Sequence, residues 1–135
     1  MNREIKFRAW DKENKKMDAV LIFMVAENKT YPHSRGYIHN CQDWEEHGLL
    51  TNPVIMQYTG LKDKNGKEIY EGDVLHMQIK STVNNNNIIV EIYFQNGAFW
   101  FKGKFYSDCN WHFYNARDRE VIGNIYENPE LINSK

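Results

Sequence analysis

Cysteine is scarce in this chain: there are only two, Cys41 and Cys109, far apart and in no C-x-x-C pair. A secreted disulfide scaffold uses several cysteines at close spacing, so that class is excluded. Long apolar runs are missing as well. The longest, Ala19 to Ala26, suits one buried strand or a short helix and falls far below the roughly 18–20 residues of a membrane span. The first residues, Met1-Asn2-Arg3-Glu4-Ile5-Lys6, lack the apolar core of a signal peptide, and the expected compartment is the cytoplasm. A charge excess of either sign is also absent. Seventeen basic residues face eighteen acidic ones, for a net charge of -1. Non-specific nucleic-acid binders draw affinity from displacing phosphate counterions and carry a basic excess. Here only a local basic patch is left to serve that purpose.

Catalytic signatures are missing in the same way. No G-x-S-x-G occurs, and Ser34, Ser81, Ser107 and Ser134 stand in loop-like or terminal contexts without an evident base. Glu45 and Glu46 are adjacent, and adjacent residues on a helix do not face one another. Gly60, Gly66 and Gly72 match neither a P-loop nor a G-x-G-x-x-G pattern. The expectation is a protein that is not an enzyme and needs no cofactor.

Aromatic residues, by contrast, are plentiful. Four Trp, eight Tyr and seven Phe make up 14% of the 135 residues. They can bury enough area to offset the ordering entropy of a compact core. The length suits one domain, or one domain plus a small appendage.

The pattern is that of strands. Ile5 to Trp10 alternates apolar with mostly polar residues, Asp11 to Lys16 is a charged turn, and Met17 to Val25 reads as a second strand, giving an N-terminal hairpin. From Glu27 to Pro53 the periodicity is poor, punctuated by Pro32, Gly36, Gly48 and Pro53. A short helix over Cys41 to Leu50 and an ordered loop are both open there. Ile55 to Thr59 reads as a strand, followed by the turn Lys62 to Lys67 with its Asn65-Gly66 pair. Asn-Gly is favoured where both turn residues need positive φ. Glu71-Gly72-Asp73 forms another corner, Val74 to Lys80 another strand, and Asn84 to Asn87 a loop tip. Ile88 to Phe94 is the clearest strand, returning through Asn96-Gly97 into Ala98 to Lys102. Phe105 to Tyr114 holds one or two more strands, and Glu120 to Tyr126 the last. Asn128-Pro129 can cap and start a final helical turn. Short strands and tight turns predict a mainly β fold with a small barrel in the C-terminal part. The predicted division is 1–54, a β-hairpin with a loop-rich insert, and 55–135, the barrel.

Three segments carry a resemblance to a known family. They are Lys6-Phe7-Arg8-Ala9-Trp10-Asp11; the long run from Met56-Gln57-Tyr58-Thr59-Gly60-Leu61 through Lys64-Asn65-Gly66-Lys67 and Glu71-Gly72-Asp73 to Val74-Leu75; and Ile122-Gly123-Asn124-Ile125-Tyr126-Glu127-Asn128-Pro129-Glu130-Leu131. Their order and placement resemble the YopX family of phage and prophage proteins. The resemblance implies a mainly β fold with an SH3-like barrel in the C-terminal part, a variable insert over 27–53, and an origin in a bacterial virus or prophage. It implies no activity. The residues themselves suggest that the central run is a folding device, with a functional loop as the alternative. Asn65-Gly66 and Gly72 allow corners that a Cβ resists, and Asp73 accepts backbone N–H groups.

Two sets of residues are candidates for chemistry. His39-x-Cys41 and Cys109-x-x-His112 together make a two-Cys, two-His zinc set, although the spacing is not a finger's. Surface-loop and barrel-wall roles are the simpler reading of these four. The second set lies in the aromatic cluster around Phe99-Trp100-Phe101. Alternate strand residues point to opposite faces, so either the two phenylalanines or Trp100 must face outward. Trp100, Lys102, Lys104, Tyr106 and Trp111 form the candidate interaction surface. The simplest reading is packing, with the N-terminal hairpin covering this face; otherwise it suits a protein partner, a second copy of the chain included, or the stacked bases of a single-stranded nucleic acid. The expected function is a non-enzymatic accessory protein that binds protein. A nucleic-acid module is the first alternative and a small metal-dependent enzyme the second.

Overall fold

The computed structural model describes residues 4–20, 22–26, 29–33, 53–80, 85–103, 106–110 and 118–133. Within these the chain is mainly β, with one short helix. It divides into two compact units, Ile5–Gln57 and Tyr58–Lys135.

In the first unit the predicted hairpin forms from β1 (Phe7–Asp11) and β2 (Lys16–Val20), with Phe7 opposite Val20 and Asp11 opposite Lys16. Its turn is organised by Asp11. One carboxylate oxygen accepts the N–H groups of Glu13 and Asn14 at 2.9 and 3.1 Å, and the other accepts Asn14 Nδ2 at 2.7 Å. Such local bonds are what make aspartate a turn former. The predicted second strand does not continue to Val25. β3 (Ile22–Ala26) instead pairs with β4 (Lys29–His33), inside the stretch whose periodicity is poor. The run Ala19 to Ala26 is uniformly apolar, so no change of period marks the break. Pro32, opposite Phe23, reads as a breaker. In a two-stranded ribbon, however, alternate N–H groups turn away from the partner, and proline is tolerated there. The proposed helix over 41–50 lies outside the described residues.

β5 (Val54–Lys62) serves both units. Its residues 54–57 pair with β1, while Tyr58 and Lys62 pair with Tyr70 and Glu68 of β6 (Glu68–Tyr70). Between those two pairs, Thr59, Gly60 and Leu61 face Ile69 alone, a bulge. Gly60 adopts φ +85 there. The Thr59 hydroxyl donates to Ile69 O at 2.8 Å and accepts Leu61 N–H at 3.2 Å, replacing the lost ladder bonds.

The second unit is built on a five-stranded antiparallel sheet, order β10-β9-β8-β7-β11. Its strands are β7 (Asp73–Lys80), β8 (Asn85–Gln95), β9 (Ala98–Gly103), β10 (Tyr106–Asn110) and β11 (Arg119–Asn124). The sheet curls into half a barrel, and among the described strands β10 and β11 are its edges. The predicted loop tip at Asn84 to Asn87 is corrected. Asn85, Asn86 and Asn87 are strand residues opposite Lys80, Ile79 and Gln78. Asparagine disfavours strands, but the register of the long β7–β8 hairpin extends through it. Ile69, Leu75, Met77, Ile88, Val90, Ile92 and Phe101 form the core, with Leu61, Phe99 and Val121 against it.

The two Asn-Gly turns differ. Asn96 (φ 51) and Gly97 (φ 76) are both left-handed, the type I′ hairpin their sequence predicts. At Asn65-Gly66 only the glycine is, with φ +82, because Asp63 shapes that corner. Gly72 (φ 76) occupies the next corner, donating to Ile92 O at 2.8 Å and accepting Ile125 N–H at 2.9 Å. The final helical turn, α1 (Glu130–Asn133), follows Asn128-Pro129 as expected.

Two close approaches give a graded prediction. A Cβ at Gly103 would stand 2.6 Å from the backbone oxygen of Ile89, whereas one at Gly123 would meet only the side-chain ends of Asn128 and Leu131, at 2.5 and 2.7 Å. A sheet carbonyl cannot yield, but rotatable side-chain ends can. Gly103→Ala is therefore expected to destabilise by about 1–3 kcal/mol and Gly123→Ala by less, as read by denaturant midpoints.

Candidate functional site

The β8–β9 hairpin carries the most exposed aromatic surface among the described residues. Its register places Ile92 opposite Phe101, Phe94 opposite Phe99, Tyr93 opposite Trp100 and Glu91 opposite Lys102. Directly opposed residues share a face. Ile88, Val90, Ile92 and Phe101 are buried, so the core face of the sheet also bears Phe94 and Phe99. The two rings meet edge to face at 5.1 Å and 65°. Phe99 packs against the core, yet Phe94 is 45% exposed. The apolar stripe thus runs past the end of the covered core and out to the turn.

Trp100 lies on the opposite face, so the phenylalanines face the core and Trp100 does not. Its Nε1 donates to Gln95 O at 2.8 Å, tying the indole to the turn. Lys102 Nζ stands 3.5 Å from Glu91 Oε2 and 5.2 Å from the Tyr93 ring centroid. Its charge is engaged within the strand pair. Of the other predicted surface residues, Tyr106 is on β10 opposite Gly103, while Lys104 and Trp111 lie outside the described residues. Cys109 is on β10 opposite Phe101. His39, Cys41 and His112 lie outside the described residues, as does any test of the zinc set. Phe94 and the 41% exposed Ile89 are not in the predicted surface. The signal for Phe94 was its place two residues before Asn96-Gly97, where an inward residue outruns its cover.

The central run is organised by two buried carboxylates, Asp63 and Asp73. Asp63 is buried and its carboxylate gathers two segments. Oδ1 accepts Asn65 N–H at 2.8 Å and Lys67 N–H at 2.9 Å, and Oδ2 accepts Val121 N–H of β11 at 3.0 Å. Burial opposes ionisation here, but the Val121, Lys67 and Asn65 amides, with the Lys67 charge, outweigh it and hold the carboxyl below its ordinary value. Lys64 N–H donates to Arg119 O at 3.0 Å, and Lys64 Nζ pairs with Glu120 Oε2 at 2.6 Å. The hydrogen bond and charge of that pair raise the Lys64 pKa and lower that of Glu120. Asp73, 1% exposed, accepts Tyr70 N–H at 2.8 Å.

The half-barrel sheet, the Asp63 corner and the hairpin that carries the exposed Phe94 define a small, mainly β protein. The YopX protein family model matches residues 6–133, and the chain belongs to the YopX family. Among solved structures, the crystal structure of protein EF1440 from Enterococcus faecalis is 31% identical, with a TM-score of 0.58 over 97% of this chain and 99% of that one. The crystal structure of protein yopX from Bacillus subtilis is 22% identical, with a TM-score of 0.60 over 93% and 96%. It shares the fold. No curated protein matches the chain.

Proposed function

We propose that this chain is a non-enzymatic binding module that engages a protein partner, a second copy of itself included, through the β8–β9 hairpin. The observation that carries this reading is Phe94, 45% exposed and edge to face with Phe99 at the end of the core stripe. An aromatic held on a rigid strand loses little entropy on burial in a partner, which is why aromatic anchors dominate protein interfaces. The net charge of -1 leaves little mutual repulsion between copies. Lys102, already engaged by Glu91 and Tyr93, has less to offer a phosphate, so protein is the better partner than nucleic acid. The proposed setting is the cytoplasm of a bacterial host, as a phage or prophage product.

The test is the solution mass together with capture of partners from infected host cells, for the native chain and for Phe94→Ser. The native protein is expected above 16.1 kDa or with a captured partner. The variant should lose at least about tenfold in affinity, as interface anchors do. A salt-sensitive shift of single-stranded oligonucleotides by a monomeric protein, unmoved by Phe94→Ser, would sink the reading in favour of nucleic acid.

A further inference from the structure

We propose that Asn96 is a site of spontaneous modification, converting to aspartate and isoaspartate, while the same dipeptide at Asn65-Gly66 is protected by the fold. The reaction begins when the Gly97 backbone nitrogen, giving up its proton, attacks Asn96 Cγ. A bond forms between that nitrogen and Cγ, the Cγ–Nδ2 bond breaks, and the amide nitrogen leaves as ammonia. The resulting succinimide is opened by solvent water at either carbonyl. One opening restores an ordinary aspartyl link, and the other leaves the chain running through the side-chain carbon. The step needs a nitrogen that is both unshielded and unengaged, and glycine supplies the first condition because it has no Cβ.

The structure supplies the second condition at one site and withholds it at the other. Asn96 and Gly97 are exposed at the hairpin tip, and among the described residues nothing accepts from Gly97 N–H or holds the Asn96 side chain. At the other site Gly66 N–H donates to Asp63 O at 3.1 Å. Asn65 N–H donates to Asp63 Oδ1 at 2.8 Å, and Asn65 Nδ2 reaches Glu120 Oε1 at 3.4 Å. The nitrogen that would attack and the amide that would leave are both tethered. The product has consequences at Asn96. Isoaspartate adds a backbone atom where a two-residue turn requires left-handed φ at both positions. It also places a negative charge at the tip of the hairpin that bears the Phe94–Phe99 pair.

The experiment holds the folded protein at mildly alkaline pH and follows each asparagine by peptide mass mapping. A gain of about one dalton is expected at Asn96, with paired aspartyl and isoaspartyl peptides. It should proceed at least about tenfold faster than at Asn65, the protection a local tether gives. In denaturant the two sites should react at similar rates, because only the fold separates them. Asn96→Gly, which keeps a residue suited to the turn, should abolish the fast mass gain. Equal rates at the two sites in the folded protein would overturn the proposal. So would an Asn96 that stays intact while the unfolded chain reacts.

Discussion

Phe101→Ala is expected to lower the stability of the second unit by about 3–5 kcal/mol, the range for deleting a large buried ring. Phe101 is fully buried on β9, flanked on both sides by strands, opposite Ile92 on β8 and Cys109 on β10. Its ring fills the core formed by Ile69, Leu75, Met77, Ile88, Val90 and Ile92. These come from several strands, so no single side chain can swing in to close the gap. Cost grows with the cavity that remains, and a stiff sheet relaxes little. Phe101→Leu, which keeps most of the volume, should cost markedly less. Denaturant titration of both variants, read by tryptophan fluorescence, checks the order. Equal loss in the two would show that the site collapses freely.

Asp63→Asn is expected to cost about 2–3 kcal/mol, the penalty of leaving buried donors unsatisfied. The amide offers one oxygen where the carboxylate offers two, and it turns an N–H against either Val121 N–H or the Asn65 and Lys67 amides. The same residue sets an acid dependence. Its folded pKa is depressed below the ordinary 3.8, so the unfolded chain takes up the proton first as pH falls. The stabilisation is therefore complete above the unfolded value and is lost as pH falls through the folded one. The native protein should weaken steeply below about pH 4. Asp63→Asn should show a shallower decline over the same window, since one of the titrating groups is gone. Parallel acid profiles for the two proteins would remove Asp63 from this role.

How much of this was legible from the residues depends on distance along the chain. The β8–β9 hairpin was legible because its signals are local. Ile88 to Phe94 is rich in β-branched and aromatic residues, and Asn96-Gly97 is one of the few pairs that tolerate two left-handed residues. The turn at Asp11 and the helix after Asn128-Pro129 were legible for the same reason. β4 and the strand character of Asn85 to Asn87 were not. Neither segment favours strand on its own, and each is extended because a partner strand satisfies its backbone.

The candidate surface divides along the same line. Alternation required that Trp100 and its phenylalanine neighbours part company, and the core then settled which went inside. That Phe94 emerges from the end of the core follows from where the other strands stop. Its own neighbourhood gives a single hint, the turn that begins two residues later at Asn96-Gly97. Asp63 marks the limit most clearly. Its hold on Asn65 and Lys67 is a local turn, but its bond to Val121 crosses 58 positions. Short-range preferences are properties of a few residues and survive in any context. Pairings across the chain exist only once the sheet has assembled, because backbone groups far apart in sequence become partners through burial alone.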